Sequence, residues 1–241
     1  MTDLIPFEDF GGTGPILHFA HPNAYPPACF TPMLEPLTAD YHVLATHHRP
    51  LWPGHDPEEF ENWQVIADDL QRFLIQQGTQ QIIGAGHSLG AVATMKAAYQ
   101  KPELFSKIVL IEPVFFAPQI LELLAANPAA AENSPLVQKA RKRRVTWPDR
   151  QTAFEHYRAK PVFERWPDEA LWSYADEGFV ETADGDLTLV FSRDWEAKIY
   201  ASLPLHVWEE LPQVPQPTLA IRGAESDTLT QEAWQLWQEF Q

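Results

Sequence analysis

The segment Gln81-Ile82-Ile83-Gly84-Ala85-Gly86-His87-Ser88-Leu89-Gly90-Ala91 constrains the chain more than any other. Its first part, Gln81 to Ala85, reads as an apolar strand. Ser88 to Tyr99 reads as a helix. Between them stands Gly86-His87-Ser88-Leu89-Gly90, the pattern G-x-S-x-G. A serine on so sharp a strand-to-helix turn takes a strained backbone conformation and lifts its hydroxyl above the sheet. Glycines two residues before and after it remove the side chains that would collide there. The helix start points its free amides at the same place, and the Leu89 amide is set to donate to a developing oxyanion. Ala91, Ala93, Ala97 and Ala98 let the helix pack close to the sheet.

The flanking sequence supplies that sheet. Pro15 to Phe19, Tyr41 to Ala45 and Lys107 to Ile111 read as further strands. Asp56, Pro57 and Glu59 read as a helix start. Trp63, Ile66, Ala67, Leu70, Phe73 and Leu74 then recur at helical spacing. Strands alternating with helices imply an α/β class, with a mostly parallel sheet flanked by helices. From about Phe116 to Pro212 the pattern turns mainly helical and rich in Trp and Pro, with one convincing strand at Leu187 to Phe191. The Pro-rich stretch Leu211 to Pro217 leads back to a strand at Thr218 to Ile221 and a helix from about Thr230 to Phe240. The expected division is a core of residues 1–115 and 213–241, split by an insertion of residues 116–212.

Charge and composition remove other classes. Lys and Arg number 17 against 33 Asp and Glu, a net charge of −16. That balance argues against a nucleic-acid partner and against docking on an anionic membrane. Cys29 is the only cysteine, which excludes an internal disulfide and fits a reducing, cytoplasmic setting. Met1-Thr2-Asp3-Leu4 carries no leader pattern, and no apolar run is long enough to span a bilayer. No metal-ligand spacing appears, and neither a metal nor a cofactor is implied. The basic run Arg141-Lys142-Arg143-Arg144 reads as a solvated helix C-terminus that complements the helix dipole. The aromatics of 116–212 serve as packing or as the walls of an apolar pocket. The sequence assigns no oligomeric state.

Three further segments join the serine turn: Leu17-His18-Phe19-Ala20-His21-Pro22-Asn23-Ala24, Val109-Leu110-Ile111-Glu112-Pro113-Val114 and Ile221-Arg222-Gly223-Ala224-Glu225-Ser226-Asp227. With them nearly the whole chain resembles the α/β-hydrolase fold family, in its serine hydrolase branch with a helical cap. The resemblance implies an enzyme that cleaves a small ester or related acyl compound through an acyl-enzyme on Ser88. The cap would be residues 116–212. The oxyanion would be held by the backbone amides of Leu89 and Asn23. Pro22 stands where the family commonly has glycine, and it has no amide hydrogen to give. His18 and His21 would brace that loop. By family position Asp227 is the preferred triad acid and Glu112, at the end of the preceding strand, the alternative.

The triad order of the fold places a histidine after the acid. Residues 228–241 contain none, and all nine histidines precede Asp227. The expectation is a chain truncated before the family's last strand and its catalytic histidine. His206, at the end of the insertion, is the alternative base. The rival expectation is a non-catalytic protein of this fold that binds a small apolar ligand or a partner in the same pocket.

Overall fold

The structure is a computed structural model that describes residues 4–240. Met1 to Asp3, on which the absence of a leader is partly read, and Gln241 lie outside the described residues. The strands are β1 (Phe7–Gly11), β2 (Ile16–Ala20), β3 (His42–Thr46), β4 (Ile82–His87), β5 (Phe105–Ile111), β6 (Thr146–Trp147), β7 (Phe179–Glu181), β8 (Leu187–Leu189) and β9 (Thr218–Ile221). The α-helices are α1 (Thr31–Leu34), α2 (Gln64–Gln76), α3 (Leu89–Gln100), α4 (Pro118–Ala126), α5 (Pro128–Glu132), α6 (Pro135–Arg141), α7 (Arg150–Arg158), α8 (Asp168–Glu177), α9 (Arg193–Ala201), α10 (Val207–Glu210) and α11 (Gln231–Phe240).

The main sheet has the order β1-β3-β2-β4-β5-β9. All its neighbours are parallel except β1, which runs antiparallel to β3. The five core strands expected from the sequence are present, each within a few residues of its expected bounds. Strand β1 escapes the pattern because it is a half-exposed edge whose polar side chains face outward. Those side chains hold it to its neighbour: Glu8 Oε1 lies 2.9 Å from His47 Nε2, and Asp9 Oδ1 lies 2.9 Å from His42 Nε2.

The helix expected from Asp56 starts later. Asp56 caps a single 3-10 turn over Pro57–Glu59, accepting from the Glu58 N–H at 2.9 Å. The chain then redirects so that Phe60 and Trp63 enter the core, and Asn62 Oδ1 accepts from the Gln64 N–H where α2 begins. Burial of two large aromatics outweighs continuing a surface helix through them.

One face of the sheet packs on α2 and α3 through Ile66, Leu70, Phe73, Val92 and Met95. Leu17, Phe19, Leu34, Val43 and Ala45 fill the other face. Helix α11 buries Ala233 and Trp237, and Trp237 stacks on Phe115 with ring centroids 5.0 Å apart. Between β5 and β9 the chain is mainly helical, as expected. It also carries a small antiparallel sheet of order β6-β8-β7, in which β8 corresponds to the expected strand. Trp147, Tyr157, Phe163, Tyr174 and Phe179 form a cluster of their own here, with Cys29 and the rings of Tyr25 and Phe30 against it. Those two rings come from the loop after β2, so the segment is seated beside the C-terminal ends of the parallel strands.

Candidate active site

Ser88 sits between β4 and α3 with φ 54° and ψ −114°. A non-glycine residue in that region costs about 1–3 kcal/mol and persists only where its surroundings enforce it. The enforcement is visible. The Ser88 N–H donates to the Ile111 carbonyl at 2.9 Å, and the Ser88 carbonyl accepts from the Val92 N–H at 3.2 Å. The two glycines are required by contact rather than by conformation. A Cβ on Gly86 would stand 2.3 Å from the Gly90 carbonyl oxygen, and one on Gly90 would stand 2.0 Å from the Ala20 carbonyl oxygen. Both obstacles are backbone. Gly90→Ala is therefore expected to destabilise the fold by about 3 kcal/mol or more, read as a Tm lower by roughly 6 °C or more. A thermal melt shifted by less than 1 °C would contradict the close approach.

That approach of α3 to the end of β2 also sets the loop after β2 beside Ser88. Leu89 is the first residue of α3, so its N–H is one of the helix-start amides with no acceptor in the helix. The Asn23 N–H likewise has no acceptor among the described residues. The Asn23 side chain is occupied, its Nδ2 donating to the Glu196 carbonyl at 3.1 Å.

Histidines brace this loop. His21 Nε2 accepts from the His48 N–H at 3.0 Å, which puts the proton on Nδ1, 2.8 Å from the Pro22 carbonyl. His48 Nε2 donates to the His21 carbonyl at 2.8 Å, and the two rings stack at 3.8 Å. His18 Nε2 accepts from the Thr46 N–H at 3.3 Å. Burial holds His18 down at about 3 and His48 at about 4, with His21 also well below the ordinary histidine value. All three stay neutral in the folded protein while the unfolded chain protonates them below about pH 6.5. Stability is therefore complete above that pH and falls as pH drops from 6.5 toward 4, by about 1.4 kcal/mol per pH unit for each histidine. Urea midpoints measured from pH 8 to pH 4 are expected to be flat at first and then to fall steeply. A midpoint unchanged between pH 6.5 and pH 4.5 would contradict the neutral cluster.

The two carboxylates differ sharply. Glu112 follows β5 with φ 46°, and its N–H donates to the Ile221 carbonyl at 2.8 Å. Its Oε1 accepts from the Gly223 N–H, and its Oε2 accepts from Ser226 Oγ at 2.5 Å. Asp227 is exposed and makes no hydrogen bond or ion pair among the described residues. Gly223 and Ser226 were not singled out from the sequence as holders of Glu112. The separation of 111 positions between Glu112 and Gly223 hides the contact from any local pattern.

No histidine is hydrogen-bonded to Ser88 Oγ among the described residues. His206 has a left-handed backbone, is exposed and pairs with Glu209 at 3.0 Å. It lines an outer cleft with Leu121, Val207 and Trp208, and the structure does not bring it to Ser88. His87 packs edge-on against Phe30, with ring centroids 6.3 Å apart. Burial lowers its pKa, and the nearby Glu112 carboxylate opposes that shift.

The basic run departs from its sequence reading at one residue. Arg143 is largely buried and paired rather than solvated. Its Nη1 donates to Glu196 Oε2 at 2.6 Å and its Nε donates to the Tyr157 hydroxyl at 3.2 Å. A buried guanidinium is tolerable because a carboxylate and phenol oxygens compensate it. No group of three or more His, Cys, Asp or Glu side chains that could hold a metal occurs among the described residues. No described helix is long and apolar enough to cross a membrane.

Comparison with known proteins agrees with this fold. The sequence profile described as the alpha/beta hydrolase family matches residues 17–241. A 2-(acetamidomethylene)succinate hydrolase of Mesorhizobium japonicum is 26% identical over 219 residues, covering 89% of this chain and 72% of that protein. A Mycoplasma pneumoniae protein whose name describes an esterase/lipase is 32% identical over 104 residues. That match covers 41% of this chain and only 36% of the relative's length. Among solved structures, E-2-(acetamidomethylene)succinate hydrolase superposes with a TM-score of 0.76 at 22% identity, covering 98% of this chain and 83% of that one. A peroxisomal alpha-beta-hydrolase of Saccharomyces cerevisiae superposes with a TM-score of 0.74 at 16% identity, covering 97% and 69%. The profile spans the serine turn, both carboxylates and the loop beside them, and with it the chain belongs to the alpha/beta hydrolase family.

Proposed function

We propose that the chain is a serine hydrolase that cleaves an ester or related acyl compound through an acyl-enzyme on Ser88. One observation carries the reading: a strained serine at the apex of β4 and α3, next to the unpaired Leu89 amide, with the Asn23 amide in the loop that follows the strand end α3 approaches. Ser88 Oγ attacks the acyl carbon, the carbonyl oxygen becomes an oxyanion held by those two amides, and the leaving group departs with a proton. Water then attacks the acyl-enzyme and releases the acid. Residues 116–212 act as a cap on a core of residues 1–115 and 213–241. The similarity to a protein named for hydrolysing 2-(acetamidomethylene)succinate supports an acyl compound as substrate.

For the triad acid the geometry favours Glu112 over Asp227. The Glu112 carboxylate is fixed by two donors, and a fixed carboxylate orients an imidazole. Attack by Ser88 also needs a base. Since no described histidine is bonded to Ser88, free imidazole added to the assay is the direct test. Hydrolysis of p-nitrophenyl butyrate is expected to contain a component that rises with imidazole and is absent in Ser88→Ala. Identical imidazole dependence in the two proteins would overturn the reading and favour a non-catalytic binding protein.

A further inference from the structure

We propose that Arg143 and the phenols around it form a subsite for a carboxylate group of the substrate, an inference that rests on the hydrolase reading. Five separate segments meet there. Tyr25 comes from the loop after β2, Arg143 from the turn after α6, Tyr157 from α7, Tyr174 from α8, and Glu196 with Tyr200 from one face of α9.

The hydrogen-bond inventory is unbalanced. Arg143 Nε and Nη2 both donate to the Tyr157 hydroxyl, at 3.2 Å and 3.0 Å, and Nη2 also donates to the Tyr174 hydroxyl. Those oxygens serve as acceptors, so the phenol hydrogens of Tyr157 and Tyr174 point elsewhere, and neither hydroxyl donates a hydrogen bond among the described residues. The hydroxyls of Tyr25 and Tyr200 have no hydrogen-bond partner either, yet they are not among the sealed, unsatisfied polar atoms. Neither hydroxyl is therefore fully enclosed by protein atoms. Burial pushes the phenols of Tyr25, Tyr174 and Tyr200 up, so each remains a donor at neutral pH. Four O–H donors thus surround a single carboxylate, Glu196, of which only Oε2 is engaged by a side chain.

The charge count agrees. Lys160 Nζ lies 4.6 Å from the Tyr157 ring centre. Arg143 and Lys160 against Glu196 leave one positive charge, in a chain whose net charge is −16. A carboxylate is an acceptor-only group with two oxygens and about four lone-pair sites, which this donor set matches. The subsite adjoins the candidate catalytic centre at two points. Asn23 Nδ2 donates to the Glu196 carbonyl. The Tyr25 ring packs on Phe30, which packs on His87 next to Ser88.

The test is a calorimetric titration with succinate, using succinamide as its neutral counterpart. Succinate is expected to bind at least tenfold tighter than succinamide. Tyr25→Phe and Tyr200→Phe keep the packing and remove only the donor, so each is expected to weaken succinate at least threefold with an unchanged Tm. Arg143→Gln is expected to weaken it more. Ser88→Ala is expected to leave succinate affinity unchanged. Equal binding of succinate and succinamide overturns the subsite, and so does a Tyr25→Phe/Tyr200→Phe double variant with unaltered affinity. If either result accompanies Ser88-dependent ester hydrolysis, only the subsite fails and the hydrolase reading stands. If succinate binds with the expected dependence while hydrolysis is independent of Ser88, the hydrolase reading fails and the carboxylate site stands.

Discussion

Ser88→Ala is expected to abolish the imidazole-dependent part of ester turnover, a loss of about 10²-fold or more against the unmodified protein at high imidazole. Without imidazole the two proteins are expected to differ far less. A nucleophile and its base act as a unit, and removing the second member changes little once the first is not serving. The residual rate in both belongs to the oxyanion donors and the pocket. The same residue carries a stability prediction of opposite sign. Ser88 holds φ 54° and ψ −114°, a conformation that glycine adopts at little cost. Ser88→Gly is therefore expected to stabilise the fold by about 1 kcal/mol, read as a Tm higher by roughly 2–4 °C, while losing all imidazole-dependent turnover. Retention of that turnover in either variant would contradict the nucleophile assignment. A Ser88→Gly variant less stable than the parent would contradict the strain.

The second large effect separates the carboxylates. Glu112→Gln is expected to lower imidazole-dependent turnover by about 10²-fold or more, because a neutral amide neither orients an imidazole nor stabilises its charged form. It also leaves one amide oxygen for two donors, so the Gly223 N–H or the Ser226 hydroxyl must face an NH2 group instead of an acceptor. That is expected to cost about 1–2 kcal/mol, since hydrogen bonds to a charged acceptor are the stronger kind. Asp227→Asn changes an exposed side chain with no partner, and its effect on stability is expected to stay within about 0.5 kcal/mol and on rate within about twofold. Rates and melts on these two variants discriminate cleanly. A large rate loss in Asp227→Asn with none in Glu112→Gln would reverse the assignment.

Much of the fold was legible in the sequence because it rests on short-range regularities. Five apolar runs and the helical repeat from Trp63 to Leu74 mark the parallel core. Gly86 and Gly90 mark the turn, and the structure adds the reason: each glycine lies against backbone, not side chain. Strand β1 was not legible, because an edge strand held by Glu8 and Asp9 on two histidines has no apolar alternation to read. The start of α2 was misplaced because capping chemistry at Asp56 is local, whereas the burial of Phe60 and Trp63 is decided by the core.

Of the candidate site, the serine and the helix-start amide follow from spacing alone. The ranking of Asp227 over Glu112 followed family position, and it could not register that Gly223 and Ser226, in the loop after the adjacent strand β9, bond to Glu112. Arg143 read as one charge in a solvated run because its partners, Tyr157, Tyr174 and Glu196, lie 14, 31 and 53 residues away. Contacts at such separations leave no trace in a charge pattern.

The central claim is that Ser88 is the nucleophile. Its most direct test is peptide mapping by mass spectrometry after incubation with a fluorophosphonate probe in imidazole buffer. A single adduct on the peptide containing Ser88, absent in Ser88→Ala, is the expected result. An adduct elsewhere that persists in Ser88→Ala, or an unmodified Ser88 at full probe exposure, would contradict it.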